Sequence, residues 1–477
     1  MAQPSGGDRC GQLLRSEHET VTTAPIAPGK FIAAAQSVSG KIGFHFGRFR
    51  VAGLFGEATL ILSGQITAAV GGIIGVPLLA HFLRPEDYGR LALGGTVATL
   101  VQQVSLGPLG NAGQRFYAAS VEANSLRDFL HSLARVVLTA CGFVILSGAL
   151  LLAGLACSPW RSSVALAGSS LIFAILAGVS SVFDGIQIAA RQRAIVAWHQ
   201  GLDMWLRYGI AALFVRLFGG AEFAMVGFAV AVAVTMLSQV FFFRRAILSS
   251  PAYRPGLDPV LERKQRRQLW VYARPFSTFA FFTWAQFASD RWALDAFTTT
   301  RSVGIYQALY QLGYYPISMA SVFLNQLFQP QLFARAGEGS DETRMANAYR
   351  LTDKLFISVS ILTLGGALLA ALLAKTLFRL LLPPAYGSVA HFLPLMVLAA
   401  GIYVCGQVAS LKHTLSPDPR TLIVPKIATA LLGAGLNFAG AYLFGVKGVV
   451  AAGICFSAVY CAWVILTTPK LTPAASG

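Results

Sequence analysis

Apolar runs of membrane-crossing length, separated by short polar breaks, repeat along the chain from about residue 58 onward. A helix needs about 20 predominantly apolar residues to cross hydrocarbon. Six such runs lie near 58–80, 91–113, 133–155, 162–183, 200–219 and 223–243. Six more lie near 272–290, 303–327, 355–378, 389–411, 422–444 and 448–467. The fifth is interrupted by Arg207 and Arg216. The pattern predicts an all-α polytopic membrane protein with about 12 transmembrane helices.

Between the two sets of six stands the longest internal polar stretch, "FRRAILSSPAYRPGLDPVLERKQRRQLW", with eight basic residues when Arg274 is included. It reads as a solvated cytoplasmic linker between two six-helix bundles. Internal similarity agrees: "FLRPEDYGRLALGG" parallels "FTTTRSVGIYQALYQLG", and "LFGGAEFAMVGFAVA" parallels "LFGVKGVVAAGICFS". An even number of spans per half makes such repeats parallel, related by an axis along the membrane normal. The expected organisation is a polar or amphipathic tail (1–54), a first bundle (55–245), a basic linker (246–271), a second bundle (272–468) and a short tail (469–477).

Charge orients this array. Of 37 Lys and Arg residues, 27 fall in the segments on the side of the N-terminus, 8 fall in the opposite loops, and Arg207 and Arg216 lie within a run. By the positive-inside bias both termini are cytoplasmic. The chain is 55% hydrophobic and only 12% charged, against about 25% charged in soluble domains. Its net charge of +17 is therefore matched to anionic lipid headgroups and topology, and no nucleic-acid partner is expected. The stretch "KFIAAAQSVSGKIGFHFGRFR" is too short to span; it reads as an interfacial helix or as a disordered tail. The first thirty residues lack a secretory signal pattern. Six scattered cysteines form no CxxC pair and seven histidines show no HExxH spacing, so neither a disulfide framework nor a zinc site is indicated.

Four stretches resemble one known group. "LLAHFLRPEDYGRLALGGTVATLVQQVSLGPLGNAGQRFYA" is similar to the first hairpin of the oligosaccharide flippases of polysaccharide and O-antigen assembly. "SDRWALDAFTTTRSVGIYQALYQL" is similar to their Asp-Arg-x-x-Leu hairpin, "LLPPAYGSVAHFLPLMVLA" to their ninth-to-tenth connection, and "LNFAGAYLFGVKGVVAAGICFSAVY" to their eleventh helix and following turn. These flippases belong to the multidrug/oligosaccharidyl-lipid/polysaccharide exporter superfamily. The resemblance implies two pseudo-symmetric six-helix bundles around a central cavity that opens alternately to the two membrane faces. It implies an undecaprenyl-diphosphate-linked oligosaccharide as cargo, carried to the outer leaflet of a bacterial inner membrane for O-antigen, lipopolysaccharide or exopolysaccharide assembly. No cofactor and no covalent chemistry are implied. Membrane lipids, a polysaccharide polymerase and chain-length or export proteins are the further partners.

A sugar-diphosphate head crosses hydrocarbon only through a polar, cation-lined path. Arginine suits diphosphate because its planar fork makes paired, charge-assisted hydrogen bonds. Arg115 has no acid within four residues, and Arg274 precedes Pro275 at the start of the seventh run. Each is either a diphosphate contact or a snorkelling anchor. Gln114 and Asn111 beside Arg115 suit sugar hydroxyls. Arg207 lies deeper, where it is a substrate contact or a helical ion pair with Asp203 at i−4. Arg291 is a further candidate substrate contact that can instead reach Asp295, leaving the adjacent Asp290 for proton or sodium coupling or for an interhelical bond.

Two other functions share parts of this pattern. A multidrug or small-cation antiporter of the same superfamily favours buried carboxylates over intramembrane arginines. A membrane-embedded glycan polymerase or ligase needs a large outer loop, and the outer loops here are short. No DxD, P-loop or Ser/His/Asp arrangement stands out, so an enzyme is not expected.

The topology is directly testable. Reporter fusions after Arg84, Arg301 and Lys447 are expected to report the outside, and fusions at Arg263 and Arg344 the inside. Consistent reversal at the sites after residue 272 contradicts the two-times-six arrangement.

Overall fold

The computed structural model of the protein describes residues 52–468 apart from 249, 254, 255, 257, 337–341 and 416–422. The basic stretch between residues 30 and 50 and the tail after 468 lie outside the described residues. Contacts divide the chain into Met1–Gly56 and Glu57–Gly477, and the helix array is the second unit.

Every predicted run is helical. In order, α1 is Ala52–Phe82, α2 is Pro85–Val101, α3 is Gly107–Glu122, α4 is Leu126–Ala156, α5 is Val164–Ala189, α6 is Arg193–Phe218 and α7 is Gly220–Phe243. The second half holds α8 (Pro259–Phe297), α9 (Thr300–Gly313), α10 (Tyr315–Ala336), α11 (Glu342–Leu381), α12 (Leu393–Thr414), α13 (Ile423–Phe444) and α14 (Val446–Leu466). A π-helical turn, Gln102–Leu106, joins α2 to α3, and Tyr314 joins α9 to α10, so these pairs act as two long, broken rods. Twelve rods result among the described residues, and the second rod of each half is the interrupted one.

Eight of the helices among the described residues are long and apolar enough to cross a membrane by length and composition. The remaining rods, α2–α3, α6, α8 and α9–α10, carry more polar residues. Three of those four meet where the bundles join: α2 packs on α9, and α8 packs on α3 and α4. Within the first bundle α6 and α5 pack on α7, and α5 holds α2 and α3; in the second, α12 holds α11 and α14, while α13 holds α14 and α8.

The α2–α9 seam is a backbone contact. A Cβ on Gly89 would overlap the carbonyl oxygen of Thr300, and one on Gly304 would overlap that of Pro85. Lipid tails are as apolar as leucine, so helix association in a bilayer relies on this kind of close approach. Polar groups tie this region together, reaching it from α9, from α8 and from the segment Pro384–Phe392. Arg301 meets Glu86 at 3.4 Å, the Tyr386 hydroxyl donates to the Leu83 carbonyl at 3.2 Å, and the indoles of Trp284 and Trp292 donate to the Thr96 carbonyl (2.7 Å) and hydroxyl (2.9 Å).

At the opposite, basic end of the rods, α8 clasps α4. The Asp258 amide donates to the Asp128 carboxylate at 2.8 Å, and Ser132 donates to the Glu262 carbonyl at 3.1 Å. The buried Glu262 carboxylate sits 3.1 Å from Arg135 and 3.3 Å from His131. This corrects the reading of 246–271 as a solvated linker, because its second half is the first three turns of α8. The Asp258 side chain accepts from the amides of Val260 and Leu261, and Pro259 occupies the first helical position; both features start a helix. Leu269 and Ala273 then bury against α4 and its neighbours.

Overpacking a close backbone contact costs about 1–3 kcal/mol. Gly304→Ala is therefore expected to lower the melting temperature of the detergent-solubilised protein by several degrees. Gly142→Ala, with open space around the added methyl group, is expected to leave it unchanged or raise it, since alanine is the better helix former. Thermal unfolding of the two variants side by side checks the seam.

Candidate functional site

Among the described residues, polar side chains inside the array form two networks, and apart from the Asp203–Arg207 pair their pairings were not visible in the sequence. In the first bundle, helical spacing sets Ser180 and Asp184 one turn apart on α5, Gln200, Asp203 and Arg207 along one face of α6, and Thr235 and Gln239 on α7. These faces converge on a cavity of about 410 Å³, to which α1 contributes Gln65 and α10 contributes Met319. Asp184 is the centre. It accepts from the Gln239 amide at 2.5 Å and from the Gln200 amide at 3.2 Å. Ser180 donates to Gln239 and Gln65 donates to Gln200, each at 3.0 Å.

Arg207 opens on the same cavity. It pairs with Asp203, as the i−4 spacing allowed, and its guanidinium lies 5.0 Å from the centre of the Phe173 ring and 6.0 Å from that of Phe228. The Arg207 Nε and Asp203 Oδ1 atoms are buried without a protein partner, which leaves one donor and one acceptor for whatever fills the cavity.

The second network lies in the C-terminal bundle and corrects the expectation for Arg291. That side chain is buried, and it pairs with its neighbour Asp290 at 2.9 Å rather than with Asp295, whose carboxylate accepts from the Thr300 hydroxyl at 2.7 Å. Adjacent residues leave a helix in different directions, but the long arginine stem folds back one turn. There it also donates to the Phe287 carbonyl at 2.6 Å and to Gln307 at 2.7 Å, with its guanidinium 4.2 Å from the Tyr310 ring centre. Asp290 is held from the other side by the Tyr306 hydroxyl at 2.7 Å, an interhelical bond. A void of about 20 Å³ remains beside Asp290, bordered by Gln286, Tyr306 and Asn437. That is room for about one water molecule.

The remaining expected site residues sit on neighbouring helices. Asn111, Gln114 and Arg115 share one exposed face of α3, and Arg274 is exposed on α8. Their helices meet through the Phe116 and Tyr272 rings, whose centres are 5.4 Å apart in an edge-on contact. Among the described residues neither Arg115 nor Arg274 has an ion-pair partner. The structure thus groups Asn111, Gln114, Arg115 and Arg274 on adjoining helices, sets Arg207 apart in the first-bundle cavity, and takes Asp290 and Arg291 into the core. Asp184, Gln200 and Gln239 were missed; the signal available was polar residues recurring at helical spacing in otherwise apolar runs.

Residues 55–334 match the family described as "Polysaccharide biosynthesis protein". No curated protein matches the sequence. Among solved structures, the inward closed conformation of the lipid II flippase MurJ aligns over 86% of this chain and 87% of its own, with a TM-score of 0.66 at 12% identity. An inward-facing multidrug resistance transporter of the MATE family, in the MOP superfamily, aligns over 86% of this chain and 96% of its own, with a TM-score of 0.58 at 14% identity. The Vibrio cholerae MATE transporter VcmN gives 0.54 at 14% identity, with the same coverage of 86% and 96%. At these identities the likeness is one of fold.

The Asp203–Arg207 pair supplies a stability test. Removing one member of an ion pair leaves an uncompensated charge, whereas removing both can be nearly neutral. Asp203→Ala is expected to destabilise the protein by about 1–2 kcal/mol, discounted because the pair faces a cavity. The double variant Asp203→Ala/Arg207→Met is expected to recover most of that loss, read as thermal unfolding of the three proteins.

Proposed function

The chain belongs to the polysaccharide biosynthesis protein family, and from that membership we propose that it translocates an undecaprenyl-diphosphate-linked oligosaccharide from the cytoplasmic to the outer leaflet by alternating access. The observation that carries this reading is the pair of exposed guanidinium groups, Arg115 and Arg274, which have no ion-pair partner among the described residues and stand on adjoining helices that come one from each bundle. Such groups suit a diphosphate, and the amides of Asn111 and Gln114 beside Arg115 suit sugar hydroxyls. The step moves a head group without altering a bond, so the chain acts as a carrier and not as an enzyme. Its place is the bacterial inner membrane with both termini cytoplasmic, and its product feeds O-antigen, lipopolysaccharide or exopolysaccharide assembly. The bundles are the segments 55–245 and 272–468, the second extended by the first three turns of α8.

Of the arginines, Arg207 is a secondary contact through its unbonded Nε, and Arg291 is the least available, with its Nε and Nη1 engaged by Gln307, Phe287 and Asp290. Asp290 is the coupling carboxylate of this reading, released from Arg291 and Tyr306 when it takes up a proton or sodium ion. The first-bundle cavity favours a second reading. Asp184 there accepts only amide hydrogen bonds in a space of about 410 Å³, which suits a multidrug or small-cation antiporter.

Vesicles reconstituted with the full chain and a fluorescent lipid-linked glycan separate the readings. A membrane-impermeant quencher is expected to reach the head group faster when the protein is present and a gradient is applied. Arg115→Ala/Arg274→Ala is expected to slow this at least about tenfold, with partial rescue by lysine, which keeps charge but loses the fork. Asp290→Asn is expected to blunt the response to the gradient; blunting by Asp184→Asn alone moves coupling to the first bundle. Equal accessibility with and without protein contradicts lipid-linked cargo, and gradient-driven efflux of an organic cation in its place supports the second reading.

A further inference from the structure

The apolar run of α11 begins near residue 355, but the helix starts at Glu342, so about 20 Å of helix projects past the hydrocarbon at the basic end. One face of that projection is packed. Met345, Ala348 and Tyr349 bury against Leu332 and Ala336 of α10 and against Leu411 and Leu415 at the end of α12. The other face carries Arg344, Asn347, Arg350 and Lys354, spaced by three, three and four residues and therefore in one stripe.

Arg335 at the end of α10 stands across from the stripe. Together these five residues and Leu351 line an open cavity of about 520 Å³. Arg344 Nε donates to the Arg335 carbonyl at 3.1 Å, which ties the two helix ends and orients the guanidinium. Among the described residues no carboxylate lines the cavity, and the adjacent Asp353 is turned to Lys412 at 2.5 Å. The positive end of the α11 dipole adds to the field of the four cations.

Height along the helix decides the ligand. The headgroup layer is roughly 5–8 Å deep on each side of the hydrocarbon. At 1.5 Å per residue, Lys354 lies at its lower edge, Arg350 about 7 Å out, and Arg344 about 16 Å out. The lower half of the stripe is thus level with lipid phosphates, and the cations are spread along the helix rather than focused on one point. We propose that this cradle binds the phosphate groups of anionic phospholipids in the adjoining leaflet and holds the α10–α11 hairpin against the membrane surface. The site is separate from the arginines assigned to cargo, and it stands whether or not the cargo is a lipid-linked glycan.

The test uses detergent-purified full-length protein titrated with a fluorescent phosphatidylglycerol. Arg344→Gln/Arg350→Gln/Lys354→Gln is expected to weaken binding at least about tenfold, at roughly fivefold per charge near a lipid surface. Arg263→Gln/Lys264→Gln/Arg267→Gln removes the same charge from exposed positions on α8 that do not line this cavity, and is expected to leave binding close to that of the parent. The charge-conserving Arg344→Lys/Arg350→Lys variant is expected to stay within about threefold of the parent. Should the first triplet fail to fold, Arg350→Gln alone is expected to weaken binding about fivefold. Equal loss from the two glutamine triplets overturns the proposal in favour of diffuse attraction. Displacement by inorganic diphosphate as readily as by unlabelled phosphatidylglycerol overturns it in favour of a soluble phosphate ligand.

Discussion

Two glycines let the backbones of α2 and α9 touch, and the arrangement of the two bundles depends on that contact. Gly89 and Gly304 occupy matching places in the two halves, each in the first turns of the second rod. With any side chain there, the rods separate and the neighbouring fastenings, Glu86–Arg301 and Tyr386–Leu83, lose their registry. In hydrocarbon, where burial of apolar surface gives no preference for one helix over another, such close approach is what selects the partner. The same two rods are interrupted farther along, at Gln102–Leu106 and at Tyr314, which places a bend point on each side of the seam. A π-turn within a long helix is a frequent marker of a functional hinge.

The polar residues divide into those that are fully engaged and those that are not. Asp290, Arg291, Tyr306 and Gln307 satisfy one another in the C-terminal bundle and fix α8 against α9. The first-bundle cavity is larger, and it keeps an unbonded arginine donor and an unbonded aspartate acceptor. Arg115 and Arg274 are exposed and have no acid partner among the described residues. This gradation, from a closed core network to open cations, is the form expected of a carrier that must be rigid within each bundle and adhesive between them.

The twelve rods were legible because the length of an apolar run is a one-dimensional property, read against a fixed membrane thickness. The pairings were not, because they depend on how each helix is rotated and shifted against its neighbour. The Asp203–Arg207 pair, local and four residues apart, was read correctly. Arg291 was misassigned because adjacency on a helix was taken as separation, while a guanidinium on a long stem can turn back to Asp290. Asp184 was passed over because a single acid near the end of a run looks like a boundary. Its partners, Gln200 and Gln239, are 16 and 55 residues away. The helical start at Asp258–Pro259 carried a readable capping signal, but a ruler for apolar length does not register a polar helix projecting from the membrane.

The arrangement of the two bundles depends on the Gly89–Gly304 contact, and alternating access as proposed requires that contact to part for cargo to pass. In a cysteine-free background, Glu86→Cys and Arg301→Cys place thiols across the seam at the existing ion pair. Oxidation to the disulfide is predicted to stop head-group translocation in reconstituted vesicles, and reduction is predicted to restore it. Undiminished translocation with the disulfide fully formed would contradict the account.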